Sequence, residues 1–182
     1  MKYLIASDIH GSAYWCKKVL EAFERENADR LLLLGDLLYH GPRNPLPKDY
    51  DTKAVYAMLN AVKDRLLCVR GNCDSEVDQM VLDFPMLADY CVITAGDRLV
   101  YATHGHIHNM ENHPPFCEGD ILLHGHTHVP AWQEFGCGNI YLNPGSASLP
   151  KDGTVNGYMT LEDGVFIWKD MDGNEYHRYC CD

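Results

Sequence analysis

The sequence predicts an α/β fold in which two mixed β-sheets form a sandwich flanked by helices. Over the first 75 residues, short apolar runs that end in polar loops alternate with amphipathic segments, the pattern of parallel strands joined by helices. The second half instead pairs short apolar runs around turn residues, which is typical of hairpins. The 182 residues are 46% hydrophobic and 23% charged, which suffices to bury a core, so we expect one domain over residues 1–182.

The first half predicts a β-α-β-α-β unit with parallel strands and right-handed connections. The first helix places Val19, Leu20 and Phe23 at helical spacing, and the second follows an Asp-Thr cap at residues 51–52. The proline-rich residues 41–50 exclude a helix between them. Predicted strands cover residues 2–6, 30–34 and 66–70, and predicted helices cover residues 13–26 and 52–63.

The second half predicts strands almost throughout. One hairpin surrounds Gly96-Asp97 and a second surrounds Asp163-Gly164, because apolar runs flank both turn signals. Further short strands are predicted between them. The predicted strands cover residues 92–95, 98–103, 121–123, 131–135, 140–142, 158–161 and 165–168.

Charge and composition exclude several classes of protein. With 15 Lys and Arg against 26 Asp and Glu, the net charge of −11 repels polyanions, so we expect no stable complex with nucleic acid. No apolar run has the roughly 18 to 20 residues of a membrane span, and charged residues interrupt the start before a signal-like segment forms. The eight cysteines include no CxxC pair, which favours reduced thiols. We therefore expect a cytoplasmic protein without membrane contact.

Polar side chains follow five of the predicted strands. In an open α/β sheet, loops at the carboxyl ends of strands converge on one crevice, so these residues are expected to share a site. Their imidazole, carboxylate and amide groups form a mixed nitrogen and oxygen donor set, which suits manganese, iron, zinc or nickel. The candidate metal ligands are Asp8, His10, Asp36, Asn72, His104, His126 and His128.

Seven ligands exceed what one catalytic ion takes from a protein, so the set predicts two divalent metal ions. Asp36, central in the set, is the expected bridging carboxylate. His126 and His128 are alternate residues of one segment, which in an extended chain would present both rings on one face. A bridged pair of ions supplies a hydroxide nucleophile at neutral pH and clamps phosphoryl oxygens during in-line displacement, so we expect phosphoester hydrolysis.

The order DxH, GD, GN, H and GHxH resembles the signature of the calcineurin-like metallophosphoesterases. The stretches SDIHGS, HGPRN, RGNCDSEVDQM, THGH, GHTH and NPGS are similar to those of its small YfcE-type phosphodiesterase branch. This resemblance covers essentially the whole chain and implies the metallo-dependent phosphatase fold, with manganese acting on small phosphodiesters. It also implies a ligand assignment. The first ion would be held by Asp8, His10, Asp36 and His128, and the second by Asp36, Asn72, His104 and His126.

The resemblance places Asn72 and His104 in the catalytic centre and Cys73 beside them. Most members of the wider superfamily carry a histidine at the position of Cys73, where it is thought to protonate the leaving group. A thiol can donate a proton, but it is a weaker hydrogen-bonding group than imidazolium. Cys73 is therefore either an acid or substrate contact, or a packing residue beside the ions.

Three further residues are candidate substrate contacts. Arg43 lies in the loop after the second predicted strand, and its guanidinium suits phosphate oxygens, although a solvated arginine is the alternative. His40 in the same loop is a candidate for the missing acid. His106 follows His104 as in the HxHxDH zinc motif of metallo-β-lactamase-type hydrolases, but His108 stands where that motif has aspartate, which breaks the match. The family resemblance implies that His104 is the ligand and that His106 lies close enough to contact either the substrate or a residue that supports a ligand.

Alternative functions use the same centre. A phosphomonoesterase or a cyclic-nucleotide phosphodiesterase would need the same ligands. A catalytically silent, metal-bound interaction scaffold is the alternative outside enzymes, by analogy with the metallophosphoesterase-fold subunit of retromer. A homo-oligomer, either a dimer or a tetramer, is an expectation by analogy with the family.

Overall fold

The chain begins with the β-α-β-α-β unit that its sequence predicts. A computed structural model describes residues 1–181. β1 pairs in parallel with β2, and β2 pairs in parallel with β3, as expected. The second helix ends earlier than predicted, and the 3₁₀ turn Lys63–Arg65 follows it. The elements are β1 (Tyr3–Ala6), α1 (Ala13–Arg25), β2 (Arg30–Leu33), α2 (Thr52–Asn60) and β3 (Leu66–Cys68).

Side-chain caps begin both helices. The Ser12 side chain accepts a hydrogen bond from Trp15 N at the start of α1, and the Asp51 side chain accepts one from Ala54 N at the start of α2. The second of these is the cap that the sequence predicts. Both helices bury an apolar stripe against one face of the sheet, which fixes the loops that precede and follow them.

The rest of the chain is almost entirely β-structure. Both predicted hairpins are confirmed, since β4 pairs with β5 and β9 with β10 in antiparallel fashion. The one-turn helix α3 (Glu76–Gln79) and the final strand were not predicted. The strands are β4 (Tyr90–Ala95), β5 (Arg98–Thr103), β6 (Ile121–His124), β7 (Pro130–Phe135), β8 (Asn139–Pro144), β9 (Gly157–Glu162), β10 (Val165–Asp170) and β11 (Glu175–Cys180).

Two mixed sheets result, which confirms the predicted fold class. One has the order β11-β10-β9-β1-β2-β3 and the other the order β4-β5-β6-β8-β7. A buried apolar cluster that includes Ile5, Leu123 and Trp168 joins their facing sides, and α1 and α2 cover the outer side of the first sheet. None of the helices among residues 1–181 has the length and apolar character that crossing a bilayer requires.

The topology gathers loops from both sheets at one edge of the sandwich. β1, β2 and β3 are parallel within the first sheet, and β5 and β6 are parallel within the second. Direct hydrogen bonds join the loops, since Asp8 N donates to Gly35 O and His126 N donates to Asp8 Oδ2. The polar residues after five strands therefore lie together.

Candidate metal centre

All seven predicted metal ligands belong to one chain of close contacts. His10 Nε2 lies 3.1 Å from His128 Nε2 and 3.5 Å from Asp8 Oδ1. His104 Nε2 lies 3.0 Å from Asn72 Oδ1 and 3.2 Å from His126 Nδ1. Asp36 connects the two groups, because its Oδ2 is 3.6 Å from His10 Nε2 and 3.5 Å from His104 Nε2.

Backbone carbonyl groups orient three of the histidines. Nδ1 of His10 lies 2.8 Å from Tyr39 O, Nδ1 of His104 lies 2.6 Å from Leu34 O, and Nδ1 of His128 lies 2.7 Å from Leu149 O. Because a carbonyl oxygen only accepts hydrogen bonds, each Nδ1 carries the proton. In the neutral form that ligates a metal, each ring directs the lone pair of Nε2 into the site, which is how ligating histidines are commonly held.

The cluster has an excess of hydrogen-bond acceptors. When both rings are neutral, the Nε2 lone pairs of His10 and His128 face each other at 3.1 Å, beside Asp8 Oδ1, which is buried and has no hydrogen-bond partner among residues 1–181. The Asn72 amide donates through Nδ2 to Cys73 Sγ at 3.2 Å, which leaves its oxygen directed at His104. Converging acceptors repel one another unless a cation lies between them, so these residues fit divalent metal ions.

Three groups of ligand atoms lie close enough to share an ion, each within 4.8 Å of one another. Asp8, His10 and Asp36 each belong to two of the groups, and the second carboxylate oxygen of Asp36, Oδ1, accepts from Cys73 N at 2.8 Å. The groups are Asp8, His10 and His128; Asp8, Asp36 and His104; and His10, Asp36 and Cys73.

Most of the ligands lie on backbone in the left-handed region. Among residues 1–181, ten non-glycine residues have positive φ, and five of them are predicted ligands, including His126 at 65° and His128 at 63°. The expectation of an extended segment is therefore wrong, although both residues do face one cavity. The left-handed turns direct His126 toward His104 and His128 toward Asp8. Such backbone is disfavoured for residues with a Cβ, and it concentrates at functional sites.

Two glycines allow the ligand loops to approach closely. A Cβ added at Gly71 would lie 2.1 Å from Asp36 Oδ1, and one added at Gly125 would lie 2.7 Å from Asp8 Oδ2. No side chain fits at either position without moving a carboxylate. Steric exclusion thus explains why glycine directly precedes Asn72 and His126.

Asp74 holds the loops after β2 and β3 together. Its Oδ2 accepts from Asp36 N at 2.8 Å and from Gly71 N at 2.7 Å, and its Oδ1 accepts from Leu37 N at 2.9 Å. Burial and the charge of Asp36 raise the pKa of Asp74 to about 6 despite these donors. Residue patterns did not identify Asp74 as functional, although its place two residues after Asn72 was the available signal.

Two serines hold the first ligand loop from the opposite side. Ser146 Oγ and Ser148 Oγ donate to the carbonyl oxygen of Asp8 at 3.0 and 2.8 Å. Asn143 Nδ2 donates to Gly125 O at 2.9 Å, and Gly125 directly precedes His126. The segment after β8 therefore positions the centre through backbone contacts, which residue spacing does not reveal.

The ionisable ligands perturb one another strongly. Burial opposes ionisation of Asp8 and Asp36, but the histidines around them outweigh it and lower both pKa values. Burial likewise opposes protonation of His10 and His104, but the two carboxylates raise both pKa values, that of His104 to about 9. This field attracts positive charge.

Histidines farther from the carboxylates behave in the opposite way. Burial and the neighbouring His104 lower the pKa values of His106 and His126. Burial lowers the pKa of His124 to about 4, so this ring is neutral where it stacks on Tyr141. Burial and the charge of Asp36 raise the pKa of the half-buried Cys73 thiol to about 12.

A cavity of about 440 Å³ opens beside the ligands. Of the predicted substrate contacts, Arg43 lines it, as does Cys73. His40 is not among its lining residues, because its ring lies between Tyr39 and Tyr50, at 4.9 and 5.2 Å between ring centroids. His106 lines a second cavity of about 360 Å³ on the other side of His126. The structure thus brings Arg43 and Cys73, but not His40 or His106, to the first cavity.

Known proteins share this sequence pattern. Residues 1–163 match the family model described as the calcineurin-like phosphoesterase superfamily domain. The chain is 44% identical over 165 residues to Phosphodiesterase YfcE of Escherichia coli strain K12, a match that covers 91% of this chain and 89% of that protein. It is 28% identical to Probable metallophosphoesterase YsnB of Bacillus subtilis strain 168, across 96% of this chain and 94% of that protein.

Solved structures agree with this similarity. The structure of YfcE, described as a phosphoesterase from E. coli, superposes with a TM-score of 0.95 at 40% identity and covers 100% of both chains. Vps29 from Entamoeba histolytica superposes with a TM-score of 0.62 at 24% identity, covering 99% of each chain. This second match shows a shared fold alone.

Proposed function

Because the chain belongs to the calcineurin-like phosphoesterase superfamily, we propose that it is a metal-dependent phosphodiesterase that hydrolyses small phosphodiesters by in-line attack of an activated water on phosphorus. One observation carries this proposal. Three histidines donate their Nδ1 protons to backbone carbonyl groups and turn their Nε2 atoms toward the carboxylates of Asp8 and Asp36. Ligand atoms that converge in this way are suited to binding cations.

We propose two ions in this centre. When bound, they would lower the pKa of water and neutralise the phosphoryl oxygens. Asp36 would contribute to both ions, since its Oδ2 stands between His10 and His104. The remaining ligands would divide as the family resemblance implies, with Asp8, His10 and His128 on one side and Asn72, His104 and His126 on the other.

The residues of the chain supply positioning rather than strong acid catalysis. Cys73 N and Asp74 hold Asp36 through its side chain and backbone, so the bridging carboxylate does not need to reorganise during the reaction. The Cys73 thiol lines the cavity, but burial and the charge of Asp36 raise its pKa to about 12, so it is a weak proton donor. We therefore expect esters with good leaving groups to react fastest.

The remaining assignments concern the identity of the metal, the substrate contacts, the location and the oligomeric state. Manganese is the proposed ion because the family resemblance implies it; the mixed imidazole, carboxylate and amide set suits zinc, nickel and iron as well, and these are the alternatives. Arg43 lines the cavity and is retained as a substrate contact. His40 would have to move to reach the substrate, and His106 could contact only a part of the substrate that enters the second cavity. A cytoplasmic location and a homo-oligomer remain predictions from the sequence.

The test is a metal-restoration assay. The protein is stripped with a chelator, and hydrolysis of bis-p-nitrophenyl phosphate and p-nitrophenyl phosphate is measured with manganese, zinc, nickel or magnesium restored. We expect manganese-restored activity that favours the diester and is lost in Asp36→Asn.

Other outcomes discriminate among the alternatives. Preference for the monoester would assign the protein to the phosphatases. Stoichiometric metal uptake without hydrolysis under any of these metals would instead support the interaction scaffold and contradict the proposed enzyme. Activity that survives in Asp36→Asn would contradict the proposed site.

A further inference from the structure

Two cations from different loops line the cavity beside the metal ligands. Arg43 lies in the loop between β2 and α2, and Lys151 lies in the loop between β8 and β9. Both side chains are exposed. Lys151 N also donates to the carbonyl oxygen of the ligand His128 at 3.2 Å, so its loop is joined directly to the centre.

Arg43 and Lys151 are two of the few cationic side chains within residues 1–181 that make no ion pair, hydrogen bond or ring contact. The chain has 15 Lys and Arg, and within residues 1–181 all but three make an ion pair, a hydrogen bond or a ring contact through the side chain. The three are Arg43, Lys53 and Lys151, and two of them line this one cavity. In a chain with 26 acidic residues, unpaired cations gathered at one cavity indicate an anion from outside.

The reacting phosphate does not account for both cations. A phosphodiester carries a single negative charge, and the two proposed ions would already face it. The second cavity, which contains His106, Glu111 and His124, has no Lys or Arg among its lining residues. The two sides of the centre therefore differ in charge, and only the side of Arg43 and Lys151 suits a substituent that is itself anionic.

We propose that Arg43 and Lys151 form a subsite for a second anionic group, a phosphate carried by one ester substituent of the diester. The subsite deepens the proposed function and rests on it, since it concerns the substrate of the same centre. The substrate class is then a phosphodiester with a further phosphate on one side, such as a phosphorylated nucleotide ester, and the uncharged substituent would lie toward the second cavity.

The experiment compares two substrates that differ only in this group. They are the p-nitrophenyl ester of thymidine 5′-phosphate and the same ester with an additional 3′-phosphate, assayed with the manganese-loaded protein. We expect the 3′-phosphorylated ester to have the higher kcat/KM. The ratio of the two kcat/KM values should fall by about tenfold in Lys151→Ala and in Arg43→Ala, the scale of one charge-assisted hydrogen bond.

Lys53→Ala is the matched control, because Lys53 is the third unpaired cation but lies on α2 and does not line the cavity. The ratio should be unchanged in this variant. Equal ratios in the wild type and all three variants would overturn the subsite while leaving the phosphodiesterase intact.

A binding measurement separates the subsite from the activity. Calorimetric titration of the metal-loaded protein should show tighter binding of thymidine 3′,5′-bisphosphate than of thymidine 5′-phosphate, with the difference reduced in Lys151→Ala. If this difference is found but no ester is hydrolysed, the proposed function fails, and Arg43 and Lys151 remain an anion-binding pair without a role toward a diester substrate. Equal affinities would overturn the subsite whatever the activity.

Discussion

Substitution of Gly71 by alanine tests whether the position of Asp36 controls activity. The added Cβ would lie 2.1 Å from Asp36 Oδ1 and 2.3 Å from Asp36 N, whereas ordinary contact begins at 3.4 Å. The carboxylate would therefore have to retreat by about 1.3 Å, the difference between 3.4 and 2.1 Å. The backbone cannot easily yield instead, because Asp74 holds both Asp36 N and Gly71 N.

A misplacement of about 1 Å in a catalytic group costs about 10²-fold in rate, so we expect kcat/KM for bis-p-nitrophenyl phosphate to fall by about 10²-fold in Gly71→Ala. Overpacking of this kind also lowers the free energy of unfolding by about 1 to 3 kcal/mol. Manganese-dependent kinetics, metal content and urea unfolding would be measured on the same preparation.

Gly96→Ala provides the control. Gly96 lies in the turn between β4 and β5 with φ at 60°, and an added Cβ meets no atom within 4 Å. Left-handed alanine costs about 1 to 2 kcal/mol, so this variant loses comparable stability without moving a ligand. A folded Gly71→Ala protein with kcat/KM within threefold of the wild type would refute the argument that Asp36 must stand where it does.

Three further predictions concern stability and leaving groups. Asp74→Asn should lower the free energy of unfolding in urea by about 1 to 3 kcal/mol, because an amide leaves a buried N–H without an acceptor. Burial disfavours the Glu26 carboxylate, but Lys169, Tyr158 and Lys2 lower its pKa from 4.5. Ionised Glu26 therefore stabilises the fold above about pH 4.5, and the difference in unfolding free energy between wild type and Glu26→Gln should shrink as pH falls below that value. Across p-nitrophenyl, phenyl and methyl esters, kcat should fall steeply, with the same slope in Cys73→Ser.

Each of these predictions has an outcome that contradicts it. Unchanged stability in Asp74→Asn would show that the loops hold without the carboxylate. For Glu26, the control is Glu21→Gln on the exposed face of the same helix, and a constant difference between pH 3 and pH 7 would be inconsistent with the lowered pKa. A flat leaving-group dependence would identify an effective proton donor.

The sequence was sufficient to predict the strands that form the centre. β1, β2 and β3 are buried apolar runs stopped by glycine or polar residues, and their parallel pairing follows from the helices between them. The strand β11 was not predicted, because Glu175–Cys180 is an edge strand whose side chains are largely exposed and show no apolar alternation. Edge strands are defined by the neighbour that they pair with, here β10, more than by their own residues.

The proximity of the seven candidate ligands was predictable from strand ends, but the contacts that hold them in place were not. Asp74, Ser148 and the carbonyl group of Leu34 act on ligands that are distant in the sequence, and their contacts depend on the folded topology. The backbone conformation of His126 and His128 likewise could not be predicted from the sequence. Alternation in sequence predicted an extended segment with both rings on one face, whereas left-handed turns bring both residues to one cavity and give the rings different partners.

The left-handed backbone at the candidate ligands places catalysis and stability in opposition. A histidine or aspartate costs about 1 kcal/mol more than glycine in that region, so glycine at His126 or His128 would relax the backbone as it removes a ligand. Loss of a ligand at these two positions therefore relieves the backbone, although at His128 it also removes the hydrogen bond to Leu149 O. A lineage released from selection for hydrolysis would shed its ligands and keep its sandwich, whereas the reverse path must restore donor groups and tolerate backbone strain at the same time.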